Sequence, residues 1–316
     1  MKKVVLISGI LLFLSGCVEH NLNTEQKTIT APLVVASAEG DIDTFHELIQ
    51  KGVDIDATDQ EGCTPLLGAI ANGQMQIAKE LILKGADVNK TDNFGGTPVL
   101  SAVMRGDDEI LEFLLQHGAD INKNAPLVIA AAEGNYYAVS ALIAHGADIN
   151  QTNKDGGTAL IGALFNDHEK ISKLLIEKGA DVNKCCRNGD GVSMSPLYVA
   201  ACHGFSDVVN LLISKGSRIN TTDSEGDTAL VGAIKWNQTE VVKLLLSHGV
   251  EVNKANSDGS APLHFAAYNG YIEIARLLLE KGAYINAKTK EGLTPLMIAE
   301  EQKQKEMVKL LESYEK

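Results

Sequence analysis

Beyond residue 31 the apolar positions come in short blocks at helical spacing, each closed by a glycine turn. The stretch from Pro262 shows the pattern most clearly. Leu263, Ala266 and Ala267 fall on one face of a first short helix, which Asn269-Gly270 ends. Ile272, Ile274, Ala275, Leu277, Leu278 and Leu279 give a second helix an apolar face too wide for its one neighbour to cover. Pro262 suits a first turn, where its missing N–H costs nothing, and Lys281-Gly282 closes the second helix with a cation and a residue able to take positive φ.

The same block recurs along the chain. A G-A-D-V/I-N motif or close variant begins at Gly52, Gly85, Gly118, Gly146, Gly179, Gly216, Gly249 and Gly282, with separations of 33, 33, 28, 33, 37, 33 and 33. A second marker, T/S/A-P/A-L/V, keeps the same register, with its middle residue at Pro32, Pro65, Pro98, Pro126, Ala159, Pro196, Ala229, Pro262 and Pro295. Helix pairs that cannot bury their faces alone stack on their neighbours, so residues 31–316 are expected to form one elongated domain.

The copy APLHFAAYNGYIEIARLLLEKGAYIN, with Ala261-Pro262-Leu263-His264 at its head, resembles an ankyrin repeat. The resemblance implies an all-α fold of helix-turn-helix repeats with short β-hairpin fingers, an ankyrin-repeat solenoid of about nine repeats. It also implies a protein partner met by finger tips and the concave side of the first helices, with no catalysis and no cofactor. The Asp and Asn of G-A-D-x-N are then turn-binding residues rather than a calcium ladder. The ends fit as well: the first unit starts directly at Ala31-Pro32-Leu33, and the last second helix carries Lys305, Glu306, Lys309 and Glu312 on its outside.

Two units depart in length. After Asn122 only Lys123, Asn124 and Ala125 precede Pro126, which removes a finger; after Asn183 the loop KCCRNGDGVSMS is four residues longer than usual. The positions expected to meet a partner are Phe94, Met104, Arg105, Phe165, Arg187, His203, Lys235, Trp236 and Tyr268. Aromatic and Arg side chains supply much of the energy at protein interfaces. Phe165 and Trp236 have a second reading, as plugs, because their repeats replace the turn glycine with Asp167 and Asn237.

At the N-terminus Lys2 and Lys3 precede an apolar run from Val4 to Leu14, 11 residues long and too short to span a bilayer. It ends in Leu14-Ser15-Gly16-Cys17, which resembles a bacterial lipobox. That resemblance implies a signal peptide over 1–16, acylation of Cys17 and a lipidated tether over 17–30. Thirteen flexible residues reach roughly 20 Å. Val18, which is not Asp, points to the outer membrane, with the globular part facing the periplasm of the bacterial cell envelope.

The full chain carries 41 acidic against 28 basic residues, a formal charge of −13. Such a balance disfavours nucleic acid, limits membrane contact to the lipid anchor, and suits a basic protein partner met by a monomer. No nucleophile elbow, Walker loop, HExxH or CxxC is present, so no enzymatic motif stands out. His117, His145 and His248 recur at one edge, but Lys84, Lys178, Lys215 and Lys281 take the same place, which favours helix C-termini over a metal. Cys63, Cys185, Cys186 and Cys202 would enter an oxidising compartment, where Cys185 or Cys186 could bridge Cys202; the sequence does not choose between them. The functional expectation is a tethered, non-catalytic protein-binding scaffold. Capture of a toxin or effector as an immunity or inhibitor protein, and support of an envelope enzyme such as a peroxide-defence enzyme, are the alternatives.

Overall fold

The computed structural model describes residues 31–187 and 193–315. Cys17 and the segments expected as signal peptide and tether lie outside them. The chain divides into two compact units, the first ending at Asn153 and the second beginning at Lys154.

The first unit holds four helix pairs: α1 (Pro32–Glu39) with α2 (Ile42–Gln50), α3 (Pro65–Ala71) with α4 (Met75–Leu83), α5 (Pro98–Arg105) with α6 (Asp108–Gln116), and α7 (Pro126–Glu133) with α8 (Tyr136–Ala144). The second holds five: α9 (Ala159–Phe165) and α10 (Glu169–Glu177), α11 (Pro196–His203) and α12 (Ser206–Ser214), α13 (Ala229–Lys235) and α14 (Thr239–Ser247), α15 (Pro262–Asn269) and α16 (Ile272–Glu280), α17 (Pro295–Glu301) and α18 (Lys305–Tyr314). Within each unit every helix packs on its pair-mate and, apart from α2, on its counterpart in the next repeat; α2 meets α4 through His46 and Glu80. This is a helical repeat solenoid.

The helix starts follow from the sequence. Thr64, Thr97, Thr158, Ser195, Thr228 and Thr294 sit just before the first helix of their repeats, and each hydroxyl accepts the backbone N–H three residues on, at 3.1–3.4 Å. Where Ala261 has no hydroxyl, its own N–H donates instead to His264 Nδ1 at 3.0 Å. The imidazole Nε2 lies 3.0 Å and 3.2 Å from the carbonyl oxygens of Ala287 and Leu293, tying the helix start to the following finger.

Second helices bury a narrower stripe than their apolar content suggests. In α16 the side chains of Ile274, Ala275 and Leu278 are fully enclosed, whereas Leu277 and Leu279 are half-buried. A 3.6-residue period puts 274, 275 and 278 on one line and leaves 277 and 279 at its margins. On α18 Lys305, Glu306, Lys309 and Glu312 are exposed around buried Met307, Leu310 and Leu311, as a terminal repeat requires.

The expected β-hairpin fingers are mostly single turns, whose outer backbone bonds are Asp59 N to Cys63 O, Asp92 N to Gly96 O, Asp223 N to Asp227 O, Asn256 N to Ser260 O and Thr289 N to Leu293 O. Among the described residues only the lengthened finger has paired strands, β1 (Cys186–Arg187) and β2 (Ser193–Met194), antiparallel with Cys186 opposite Met194. Four extra residues give it room for a ladder that the short fingers lack. At the shortened loop Asn124 and Ala125 both take positive φ, 63° and 54°, which turns the chain straight into α7.

Successive repeats are also laced along the G-A-D-x-N edge. The Asp of the motif accepts the N–H two residues on, as expected, at Asp54, Asp87, Asp120, Asp148 and Asp181. The residue two further along, Asp56 in the first repeat and Asn elsewhere, accepts from the next repeat. Asp56, Asn89 and Asn122 take the N–H of Asp87, Asp120 and Asp148; Asn183, Asn220 and Asn253 take those of Arg218, Glu251 and Tyr284.

Candidate protein-binding surface

The first helices of the second unit end in large side chains at two adjoining register positions: Phe165, Lys235 and Tyr268 at one, His203 and Trp236 at the next. Trp236 is 40% exposed and Tyr268 55%. Glutamines of the following turns fix this edge, since Gln238 Nε2 donates to Cys202 O at 3.2 Å and Gln304 Nε2 to Tyr268 O at 3.4 Å.

Phe165 is half-buried, with its ring 6.5 Å from that of His203 in an edge-on arrangement. His203 stacks on its other side near Phe205, 5.5 Å away, and its Nδ1 lies 2.6 Å from Asp167 Oδ1. Phe165 therefore serves local packing as well as the surface. Trp236 leaves 40% of its surface open to solvent. Asn237 and Asp167 adopt the left-handed turn themselves, at φ 55° and 64°.

Lys235 is not available to a partner in the way expected. Its ammonium is paired with the carboxylate of Asp227, lies 3.8 Å from Glu225, and sits 5.0 Å over the Phe265 ring. Asp227 is wholly buried and also accepts from Asn256 Nδ2 at 3.0 Å. Asp223, Glu225 and Asp227 bring carboxylate oxygens within 4.8 Å of one another, a set with the right atoms for a cation. Lys235 already supplies the positive charge there. Burial raises the Asp223 carboxyl above its ordinary range, against the hydrogen bonds it accepts from Asp227 N and Glu225 N. The signal was present in the sequence: Asp227 stands directly before a buried helix-capping Thr, where Gly96, Gly157 and Cys63 stand in other repeats.

The expected bridge to Cys202 is absent: Cys185, Cys186 and Cys202 are free thiols. Cys202 is buried on α11 facing the next repeat, and a Cβ added to Gly232 would come within 2.9 Å of its sulfur. Cys186 is buried at the base of β1, while Cys185 is exposed with its sulfur 3.6 Å from Asn183 O. Burial pushes the Cys186 thiol up to about 11 and Cys202 up to about 12, so neither is activated as a nucleophile. Arg187 lies in β1.

In the first unit Phe94 is 45% exposed on its finger, and Met104 is half-buried. Arg105 is tied across repeats, its Nη1 donating to Ala71 O at 2.8 Å. The histidine edge is likewise occupied locally: His117 Nδ1 lies 2.7 Å from Phe113 O, His145 Nε2 3.1 Å from Glu112, and His248 Nε2 3.3 Å from Asn210. Sequence reasoning missed one exposed pair, Tyr136 and Tyr137 at the start of α8, because their exposure depends on the turn before them.

Comparison with known proteins agrees with this architecture. The family described as ankyrin repeats (3 copies) matches residues 33–125, 122–185, 197–289 and 251–316. The chain is 34% identical over 88 residues to the E3 ubiquitin-protein ligase KEG of Arabidopsis thaliana, covering 28% of this chain and 5% of that protein. It is 34% identical over 85 residues to the ANK repeat-containing protein nipk-1 of Caenorhabditis elegans, covering 27% and 14%. It is also 34% identical over 72 residues to the human protein phosphatase 1 regulatory subunit 27, covering 23% and 44%. The matched segments span less than half the length of each of these relatives. Ankyrin repeats are a non-catalytic protein-interaction fold, and this chain belongs to the ankyrin-repeat family.

Proposed function

We propose that this chain is a membrane-tethered, non-catalytic scaffold that grips a protein partner on the first-helix ends of its second unit. The observation that carries the reading is the pair of exposed aromatic side chains at the ends of consecutive first helices, Trp236 and Tyr268, at adjoining register positions of neighbouring repeats. Large exposed aromatics on a laced, rigid edge are the residue types that dominate interface energetics. The tether rests on the resemblance of Leu14-Ser15-Gly16-Cys17 to a bacterial lipobox, and Val18 supports the outer membrane, facing the periplasm, as its site. Lys235 is a positioning residue in this reading, holding the finger at Asp227 and the ring of Phe265 beside the exposed aromatics. The overall acidity suits a basic toxin or effector as the captured protein.

The single Trp makes the central test direct. Its fluorescence reports a solvent-accessible indole in the free protein and a blue shift on partner capture. Trp236→Ala weakens capture by roughly thirtyfold, about 2 kcal/mol, while helix content is retained. Lys243→Ala, on α14 between Glu240 and Glu273, changes neither. Normal capture by the folded Trp236→Ala protein would overturn the surface. The tether is checked separately: Cys17→Ser abolishes acyl labelling and releases the protein from membranes, and a labelled, membrane-bound variant refutes it.

A further inference from the structure

The first unit has a second surface, independent of Trp236 and sharing no residue with it. Tyr136 and Tyr137 occupy the first two positions of α8 and are 51% and 45% exposed. The turn before them explains why. Gly134 takes φ 78° and Asn135 caps the helix through a bond from Ala138 N to its Oδ1, which leaves both following side chains outside the buried stripe of Ala138, Val139 and Leu142. α6 packs beside α8, and at the matching two positions it begins with Asp108-Glu109. The tyrosines and carboxylates therefore lie side by side, about one helix spacing of 8–10 Å apart. Glu133, exposed at the end of α7, extends the acidic rim.

The charge of the surrounding unit says what this surface receives. Residues 31–153 carry 18 acidic against 6 basic side chains, a formal −12, while residues 154–316 carry 21 against 19. The six cations are already counted in that −12, and one of them, Lys79, is paired with Glu109 of the rim. Lys51 pairs with Glu47, Lys79 with Glu109 and Lys84 with Glu80. Lys90, Arg105 and Lys123 donate to the backbone carbonyls of Asp56, Ala71 and Asn89. Asp108 meanwhile keeps one oxygen, Oδ1, out of solvent with no hydrogen-bond donor among the described residues. A surface of two exposed phenol rings within an excess of carboxylates suits an ammonium or guanidinium, through charge and through the ring faces.

We propose that the start of α8, with Tyr136 and Tyr137 at its centre and Asp108, Glu109 and Glu133 around it, docks a Lys/Arg-bearing segment of a protein partner. Nucleic acid and anionic lipid are repelled by the same field. A basic segment gains twice there, since it neutralises carboxylates and covers the rings.

The test uses the full chain in neutral detergent and a ten-residue amidated peptide of alternating Lys and Arg, with a Glu peptide of equal length beside it. The basic peptide is expected to bind, to weaken as salt rises from 50 to 200 mM, and to shield Tyr136 and Tyr137 from iodination read by mass spectrometry. Tyr284, 67% exposed in the other unit, stays reactive as the internal control. The double variant Tyr136→Ser/Tyr137→Ser loses roughly tenfold in affinity and Glu109→Gln several-fold. Asp54→Asn/Asp87→Asn, which removes twice the charge of Glu109→Gln from the loop edge of the same unit, costs less than twofold. Three results would overturn the proposal: equal losses in the loop-edge and tyrosine variants, which leaves only a general acidic field; no shielding of the two tyrosines; or equal binding of the Glu peptide. Should the tyrosine variant lose helix, the iodination pattern of the unaltered protein decides. The Trp236 signal is unmoved throughout, so this result and the scaffold reading fail or stand apart.

Discussion

Residues 31–153 and 154–316 repeat one helix pair, yet their surfaces differ sharply. In the first unit the excess of acid is large and every basic side chain is held in a pair or on a backbone carbonyl. In the second, charge nearly balances and the first helices end in Phe165, His203, Trp236 and Tyr268. The buried stripes are alike: Ile77, Ala78 and Leu81 in α4 match Ile274, Ala275 and Leu278 in α16. Stacking restricts the same positions in both units, so only positions that face no neighbour are open to chemical divergence. What distinguishes one ankyrin unit from another lies in what packing leaves alone.

The largest test of that likeness is in the core. Leu278→Ala in α16 and Leu81→Ala in α4 each remove a fully enclosed side chain, and each is expected to cost about 2–5 kcal/mol. Hydrogen exchange should show lost protection first in the adjoining helices of the same unit, because each repeat touches only its neighbours. Leu277→Ala, at the margin of the stripe, costs distinctly less. A Leu277→Ala loss equal to that of Leu278→Ala would mean the stripe is assigned wrongly.

Much of this was legible in the sequence. Repeat phase, helix starts at Pro and Thr, the charged outer face of α18 and the altered loops all follow from spacing and residue type. Leu277 misled because six apolar residues in nine conceal which three make the line. Lys235 misled because its partner, Asp227, arrives through the finger turn rather than along the helix. The cysteines misled because closeness in sequence says nothing of direction, and Cys202 faces Gly232 of the next repeat.

A middle-sized effect separates the units by their cations. Lys79 and Lys235 each lie over a phenylalanine, at 5.8 Å from Phe113 and 5.0 Å from Phe265, and each pairs with a carboxylate. Glu109 is mostly exposed and Asp227 fully buried. Lys79→Met is therefore expected to cost under about 1 kcal/mol in urea unfolding. Lys235→Met leaves a buried carboxylate with Asn256 as its remaining side-chain donor. That is expected to cost about 1–3 kcal/mol, below the full value for a buried pair because Lys235 is itself a third exposed. Equal costs would show that the finger at Asp227 opens to water.

The last effect is in pH: it has one sign in both units, a loss as pH falls, but sets in at a different pH in each. Burial holds the His264 imidazole below its ordinary 6.5, against the hydrogen bonds made with Ala261, Ala287 and Leu293. The unfolded chain then takes up that proton more readily, so the stability His264 contributes is complete above pH 6.5 and falls away as pH drops below it. In the first unit the hydrogen bond from His46 holds Glu80 below its ordinary 4.5, and bonds from Gln116 and then His145 do the same for Glu112. Their contribution is complete above pH 4.5 and lost only as pH falls further. Asp223, raised by burial, works the other way and offsets part of the second unit's loss in the carboxylate range. Between pH 6.5 and 4.5 the region around α15 should lose protection with a slope of at most one proton, about 1.4 kcal/mol per pH unit. The α4 and α6 regions should hold. Hydrogen exchange at pH 6.8, 5.5 and 4.8, corrected for intrinsic rates, reads both at once, and His264→Gln should flatten the α15 response. Level protection around α15 across that window in the unaltered protein would show that a charged His264 is accommodated there, and the pH contrast between the units would be lost.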